Sequence, residues 1–103
     1  MARWVRIAAV DDCPAGQAVE LVADDVLIAL FNVDGTYHAL DGVCPHQGGP
    51  LGKGCLAGAI VTCPWHGWQF DVRSGQHQLN RNLRQPMYAV RVDEGGIWVD
   101  LET

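Results

Sequence analysis

The sequence predicts an all-β fold, a sandwich or small barrel of short strands. Three observations lead there. Twelve glycines and five prolines are spread through 103 residues and break up any long helical pattern. Runs rich in β-branched and aromatic residues recur at short intervals between turn residues. Two of the intervals, "NVDGTY" (Asn32 to Tyr37) and "DEGGIW" (Asp93 to Trp98), offer the Asp-Gly and Gly-Gly pairs that tight hairpin turns require.

Taken in order, the candidate strands are Trp4 to Ala8, Ala18 to Val22, Val26 to Asn32 and Thr36 to Leu40, then Ala59 to Thr62, Trp68 to Val72, Met87 to Val92 and Ile97 to Leu101. The third and fourth meet at Asp34-Gly35, which favours a type I′ hairpin. The last two meet in "DEGGIW" (Asp93 to Trp98), which repeats the device. Between them, Ser74 to Pro86 ("SGQHQLNRNLRQP") is polar and weakly patterned, and reads as a long loop. No internal repeat or low-complexity tract stands out, so residues 1–103 read as a single domain.

Composition narrows the function. A net charge of -5 with scattered basic residues argues against nucleic acid, and an acidic surface suits a basic protein partner. The apolar run Ile7 to Val10 is too short for a signal-peptide core, and Val26 to Val33 covers less than half of a membrane span. The expectation is a cytoplasmic chain with no membrane partner. In a reducing compartment four cysteines point to metal ligation or free thiols, not disulfides.

The chemistry concentrates in "DGVCPHQGGPLGKGCLAGAIVTCPWHGWQFD", Asp41 to Asp71. In Cys44-Pro45-His46 an extended segment turns residues i and i+2 to one side, and Pro45 stiffens the middle. In Cys63-Pro64-Trp65-His66 a tight turn brings residues i and i+3 within about 7 Å. Each segment offers one sulfur and one nitrogen. The sixteen residues between His46 and Cys63 allow two loop tips to close on one site, with Gly48, Gly49, Gly52, Gly54 and Gly58 permitting tight backbone turns. A structural Zn²⁺ is the other occupant such donors allow, although zinc fingers usually pair Cys with Cys and His with His.

The pattern "CPH" followed by "CPWHG" resembles the signature of the Rieske [2Fe-2S] family, with the flanks "CPHQGGPLGKG" and "CPWHGWQFDVRSG" similar to the cluster loops of bacterial Rieske-type ferredoxins. The resemblance implies an antiparallel β-sandwich whose small cluster-binding subdomain is carried on two loops, about residues 41–71. It implies one [2Fe-2S] cluster, with Cys44 and Cys63 on the inner iron and His46 and His66 on the outer one. Pro45, Pro64, Trp65 and the glycines would shape the site.

Two departures from the high-potential respiratory branch of that family matter. Where that branch carries a loop disulfide, Gly49 and Trp65 stand here. Where it carries Ser and Tyr hydroxyls beside the cluster sulfurs, Trp68 and Phe70 stand here, so the potential is expected near the low end of the Rieske range.

Cys13 and Cys55 have no histidine at ligand spacing and read as ordinary thiols. His38 and His77 read as surface or satisfied histidines, and Trp4 and Trp98 as packing. Because 103 residues leave no room for an oxygenase's catalytic domain, the resemblance implies a carrier and not an enzyme. The expected role is a soluble one-electron carrier, monomeric in isolation, between an NAD(P)H-dependent flavin reductase and a terminal oxygenase. The alternatives are the small Rieske subunit of an assimilatory nitrite reductase and a structural zinc module. Partners are expected at the cluster tip, around Trp65, Gln47 and Leu51.

Overall fold

The computed structural model describes residues 2–44, 48–65 and 67–102. Their strands are β1 (Trp4–Ala9), β2 (Ala18–Ala23), β3 (Val26–Val33), β4 (Thr36–Asp41), β5 (Cys55–Ala57), β6 (Ile60–Thr62), β7 (Gln69–Asp71), β8 (Met87–Asp93) and β9 (Gly96–Asp100). Six make an antiparallel sheet in the order β1-β9-β8-β4-β3-β2, and β5-β6-β7 make a small second sheet. The edges β1 and β2 also touch, so the larger sheet curls toward closure. All eight strands read from the sequence are present, each end within one residue. The ninth, β5, has only three residues next to glycines and carries no β-branched side chain, so no pattern announced it.

Hairpin turns set the register. Asp34 and Gly35 have φ of 51° and 92°, and Glu94 and Gly95 have 50° and 74°, so both turns take the two left-handed residues of type I′. A third such turn, Asp24-Asp25 with φ of 47° and 66°, joins β2 to β3 without any glycine. Short acidic side chains tolerate this region better than most, and the pairing Ala23↔Val26 closes the hairpin there.

The run "VLIALFNV" is apolar at every position but Asn32 because β3 is buried on both faces. Ile28 and Leu30 face the inside of the curled sheet with Cys13, Ile97 and Val99. Ala29 and Phe31 face the other way, onto Leu51, Val61 and Phe70 of the small subdomain. β4 splits likewise, with Ala39 inside and Leu40 outside. Burying each large side chain of this wall contributes about 1.5–3 kcal/mol, and the wall serves two cores at once. Trp4 and Trp98 are half-buried on the sheet, and the Arg91 guanidinium lies 4.6 Å from the centre of the Trp4 ring.

Candidate metal centre

The two cysteine segments are closed in the same way. Cys44 N–H donates to the Gly49 carbonyl at 2.8 Å, and Cys63 N–H donates to the Trp68 carbonyl at 2.8 Å, each spanning five residues. In both, the residue at the fifth position is a glycine in the left-handed region, Gly48 at φ 74° and Gly67 at φ 73°. "CPHQGG" and "CPWHGW" thus share one closing hydrogen bond and one left-handed glycine at matching positions, an internal repeat too short to show by period. The first copy leaves β4 and the second joins β6 to β7.

Cys44 and Cys63 are each 1% exposed, belong to one apolar cluster and take part in no disulfide. The copies touch at Gly49, where a Cβ would lie 2.7 Å from Cys63 Sγ and 2.9 Å from Trp65 Cβ. Nothing larger than hydrogen fits there, so the first loop can approach the second thiol. His46 and His66 lie outside the described residues, as do Pro45 and Gln47. Among the described residues no group of three or more Cys, His, Asp or Glu is assembled for a metal.

Trp65 stands at the tip, 50% exposed, with Val43 at 44% on the first loop's base. Leu51 corrects an expectation. It is fully buried, because its N–H donates to the Gly42 carbonyl and its side chain fills the subdomain core with Phe31 and Phe70. It cannot touch a partner.

His77 also departs from a surface reading. It is 7% exposed, with its ring edge-on to Trp68 at 4.7 Å and to Phe70 at 5.2 Å between centroids. Its Nδ1 accepts the N–H groups of Leu79 and Asn80, both at 3.0 Å, whereas Nε2 is buried with no hydrogen-bond partner among the described residues. The segment read as a plain loop is tied down at both ends. Gln78 N–H donates to Gln69 carbonyl at 3.0 Å, and the buried Gln85 amide donates to the Asp41 and Val43 carbonyls at 2.6 and 2.7 Å. Sequence reasoning missed Gln85, since a lone Gln in a polar stretch carries no signal.

The remaining candidates sit apart from the centre. Cys13 is fully buried in the other core, and burial pushes its thiol up from the ordinary range. Cys55 is exposed on β5. Half-buried His38 is held below the usual histidine range by burial. Asp71 is held below the usual carboxylate range, chiefly by hydrogen bonds from the Arg73 side chain at 3.0 and 2.8 Å.

Two buried sulfurs on paired, glycine-hinged loops, beside a core with no competing charge, suit a thiolate-held iron–sulfur group, and the fold and site together define a small β metalloprotein domain. A family model for the Rieske [2Fe-2S] domain matches residues 3–93, and the chain belongs to that family. Its cofactor is one Rieske-type [2Fe-2S] cluster.

Two relatives are close in length. The ferredoxin component of a Ralstonia naphthalene 1,2-dioxygenase/salicylate 5-hydroxylase system is 29% identical over 96% of both chains. The ferredoxin component of an alkene monooxygenase system from Xanthobacter autotrophicus is 31% identical over 96% of this chain and 82% of that one. Among solved structures, a complex of reduced oxygenase and oxidised ferredoxin in carbazole 1,9a-dioxygenase matches with TM-score 0.86 and 25% identity, covering 94% of this chain and 92% of that one. A putative NADH-dependent nitrite reductase small subunit from Mycobacterium tuberculosis matches with TM-score 0.86 and 29% identity, covering 97% and 96%.

Proposed function

We propose that this chain passes single electrons from an NAD(P)H-dependent flavin reductase to a terminal oxygenase. It is an electron-transfer component and not a catalyst. The observation that carries the reading is the pair of matching Cys loops meeting at Gly49, which supports a shared centre for the two buried sulfurs. When bound, the cluster supplies one-electron chemistry. Cys44 and Cys63 would hold it as thiolates, and His46 and His66 would complete the ligand set. Gly49 lets the loops close, Trp65 covers the tip, and Phe70 and His77 back the second loop from within.

Support for the oxygenase comes from relatives named as ferredoxin components and from the carbazole dioxygenase complex. Cytoplasmic placement accords with the absence of any helix among the described residues long and apolar enough to cross a membrane. Family membership replaces the zinc module with the cluster. The nitrite reductase subunit remains the second reading, favoured by the Mycobacterium tuberculosis match.

Iron and sulfide analysis with EPR of the reduced protein tests the reading: about two irons and two sulfides per chain with a mixed-ligand Rieske signal are expected. One zinc without sulfide would end it. Because neither Phe70 nor Trp68 offers an O–H, the midpoint potential should fall below zero, in the lowest third of the roughly -150 to +300 mV range. Gel filtration of the native complex separates carrier from subunit, since a permanent assembly would favour nitrite reductase.

A further inference from the structure

Every charged side chain of this acidic protein lies among the described residues, and the charges are not evenly spread. Asp11, Asp12, Asp34, Asp93 and Glu94 are all exposed at the end remote from the metal centre. Two hydrogen bonds show that these turns share one end: Val10 N–H to the Gly95 carbonyl at 2.9 Å, and Tyr37 O–H to the Val10 carbonyl at 3.1 Å. Of the cations, Arg6 reaches toward them, its Nε packed against Gly96, and Arg91 stands on β8 two residues before Asp93. The whole length of β4, about 20 Å for six residues, separates Asp34 from the start of the first cysteine loop.

The other end is different. Lys53 lies 3.8 Å from Glu20 and Arg73 lies 2.8 Å from Asp71, so both are neutralised. Arg81 and Arg84 are exposed and form no ion pair among the described residues. Of the other acids at this end, Asp41 turns its Oδ1 into the backbone to accept Val43 N–H at 3.0 Å, Asp100 Oδ1 accepts the Arg3 and Glu102 N–H groups, Asp24 and Glu102 lie 2.9 and 3.7 Å from Arg3, and Asp25 is exposed at the β2–β3 turn. Arg81 and Arg84 belong to the loop that His77 and Gln85 clamp against both cysteine loops. At its apex Leu79 is 93% exposed, although its own N–H is bound to His77 Nδ1. An anchored loop that presents an apolar side chain together with unpaired arginines has the composition of a protein interface, and its ordering cost is already met within the chain.

We infer that loop 79–84 is a positively charged docking surface for an acidic face on the electron-exchange partner. The inference rests on the carrier reading above and reverses what net charge alone implies. A basic partner is repelled by the exposed Arg81 and Arg84 of this loop. An acidic partner pulls the arginine loop, and the metal centre beside it, into contact.

Small oxidants of opposite charge read the field at this loop without any protein partner. The reduced holoprotein is mixed in stopped flow with hexacyanoferrate(III), a trianion, or tris(phenanthroline)cobalt(III), a trication. One electron leaves the reduced cluster and reduces the oxidant's metal from the +3 to the +2 state, with no proton moved. Salt is raised from roughly 0.01 to roughly 1 M, which shortens the Debye length from about 30 to about 3 Å. The anionic oxidant should slow by on the order of ten-fold despite the protein's own negative charge. The paired substitution Arg81→Glu and Arg84→Glu should reverse that slope at unchanged visible spectrum, whereas Asp93→Asn with Glu94→Gln should leave its sign unchanged. A wild-type rate with the anion that rises with salt, or a slope indifferent to the arginine substitutions, overturns the docking surface and leaves the carrier intact. A chain that takes up no electron reversibly overturns the carrier reading and this inference with it.

Discussion

The six-stranded sheet and the three-stranded sheet of this protein are held together by different means. In the larger sheet, strands of five to eight residues pair along most of their length and enclose Ile28, Leu30, Ile97 and Val99. In the smaller, each strand has three residues, and two of the core side chains are the Cys44 and Cys63 thiols. Short antiparallel ribbons are marginal in water without further support. The body is therefore ordered by its own ladder, while the subdomain leans on the β3–β4 wall and on whatever its sulfurs bind.

The largest effect should come from Cys44→Ser or Cys63→Ser. Either should remove the cluster completely, seen as loss of visible absorption and EPR signal, and amide exchange should quicken through 42–71 while β3, β8 and β9 stay protected. Equal loss of protection in both regions would break the contrast. Cys13→Ser and Cys55→Ser should leave the spectrum unchanged.

Next come two core truncations that set the regions against each other. Phe70→Ala should cost about 3–5 kcal/mol in denaturant unfolding and bleach the protein, because Phe70 fills the subdomain core. Leu30→Ala should cost about 2–5 kcal/mol and leave the absorption spectrum as it was, because Leu30 faces the other core.

A smaller change is Gly49→Ala. The added methyl meets Cys63 Sγ and Trp65, so we expect a loss of about 1–3 kcal/mol and reduced iron content, checked by melting and metal analysis. A protein with full iron would show that the loops separate easily.

The smallest effect concerns Asp71. Its pKa is depressed, chiefly by hydrogen bonds from Arg73, so the contribution is present above the unfolded carboxylate value and lost as pH falls through the folded one. Arg73→Gln should raise the pH at which Asp71 takes up its proton, read by NMR titration, with little change at neutral pH, since Arg73 is exposed.

Much of this contrast could be read from the residues. Strong two-residue turns and β-branched runs located the long strands, because pairing there repeats a local preference. Both cysteine loops were visible because Cys, Pro, His and Gly each have a distinct role at fixed spacing. What escaped depended on tertiary placement. Leu51 looked like tip material within a glycine-rich stretch, but the turn Leu51–Lys53 folds it inward. His77 and Gln85 lie in a polar segment whose order comes from rings and carbonyls distant in sequence. Net charge hid the exposed Arg81 and Arg84 for the same reason, since a sum carries no positions.

The Gln85 latch has a consequence for biosynthesis. The base of the first cysteine loop, at Asp41 and Val43, is fastened by an amide that follows it by 44 and 42 residues. At about 5–20 residues per second of synthesis, Cys44 and Cys63 emerge seconds before the side chain that closes the loop behind them. Throughout that interval the base of the first cysteine loop lacks these two hydrogen bonds, which can form only once residue 85 has emerged.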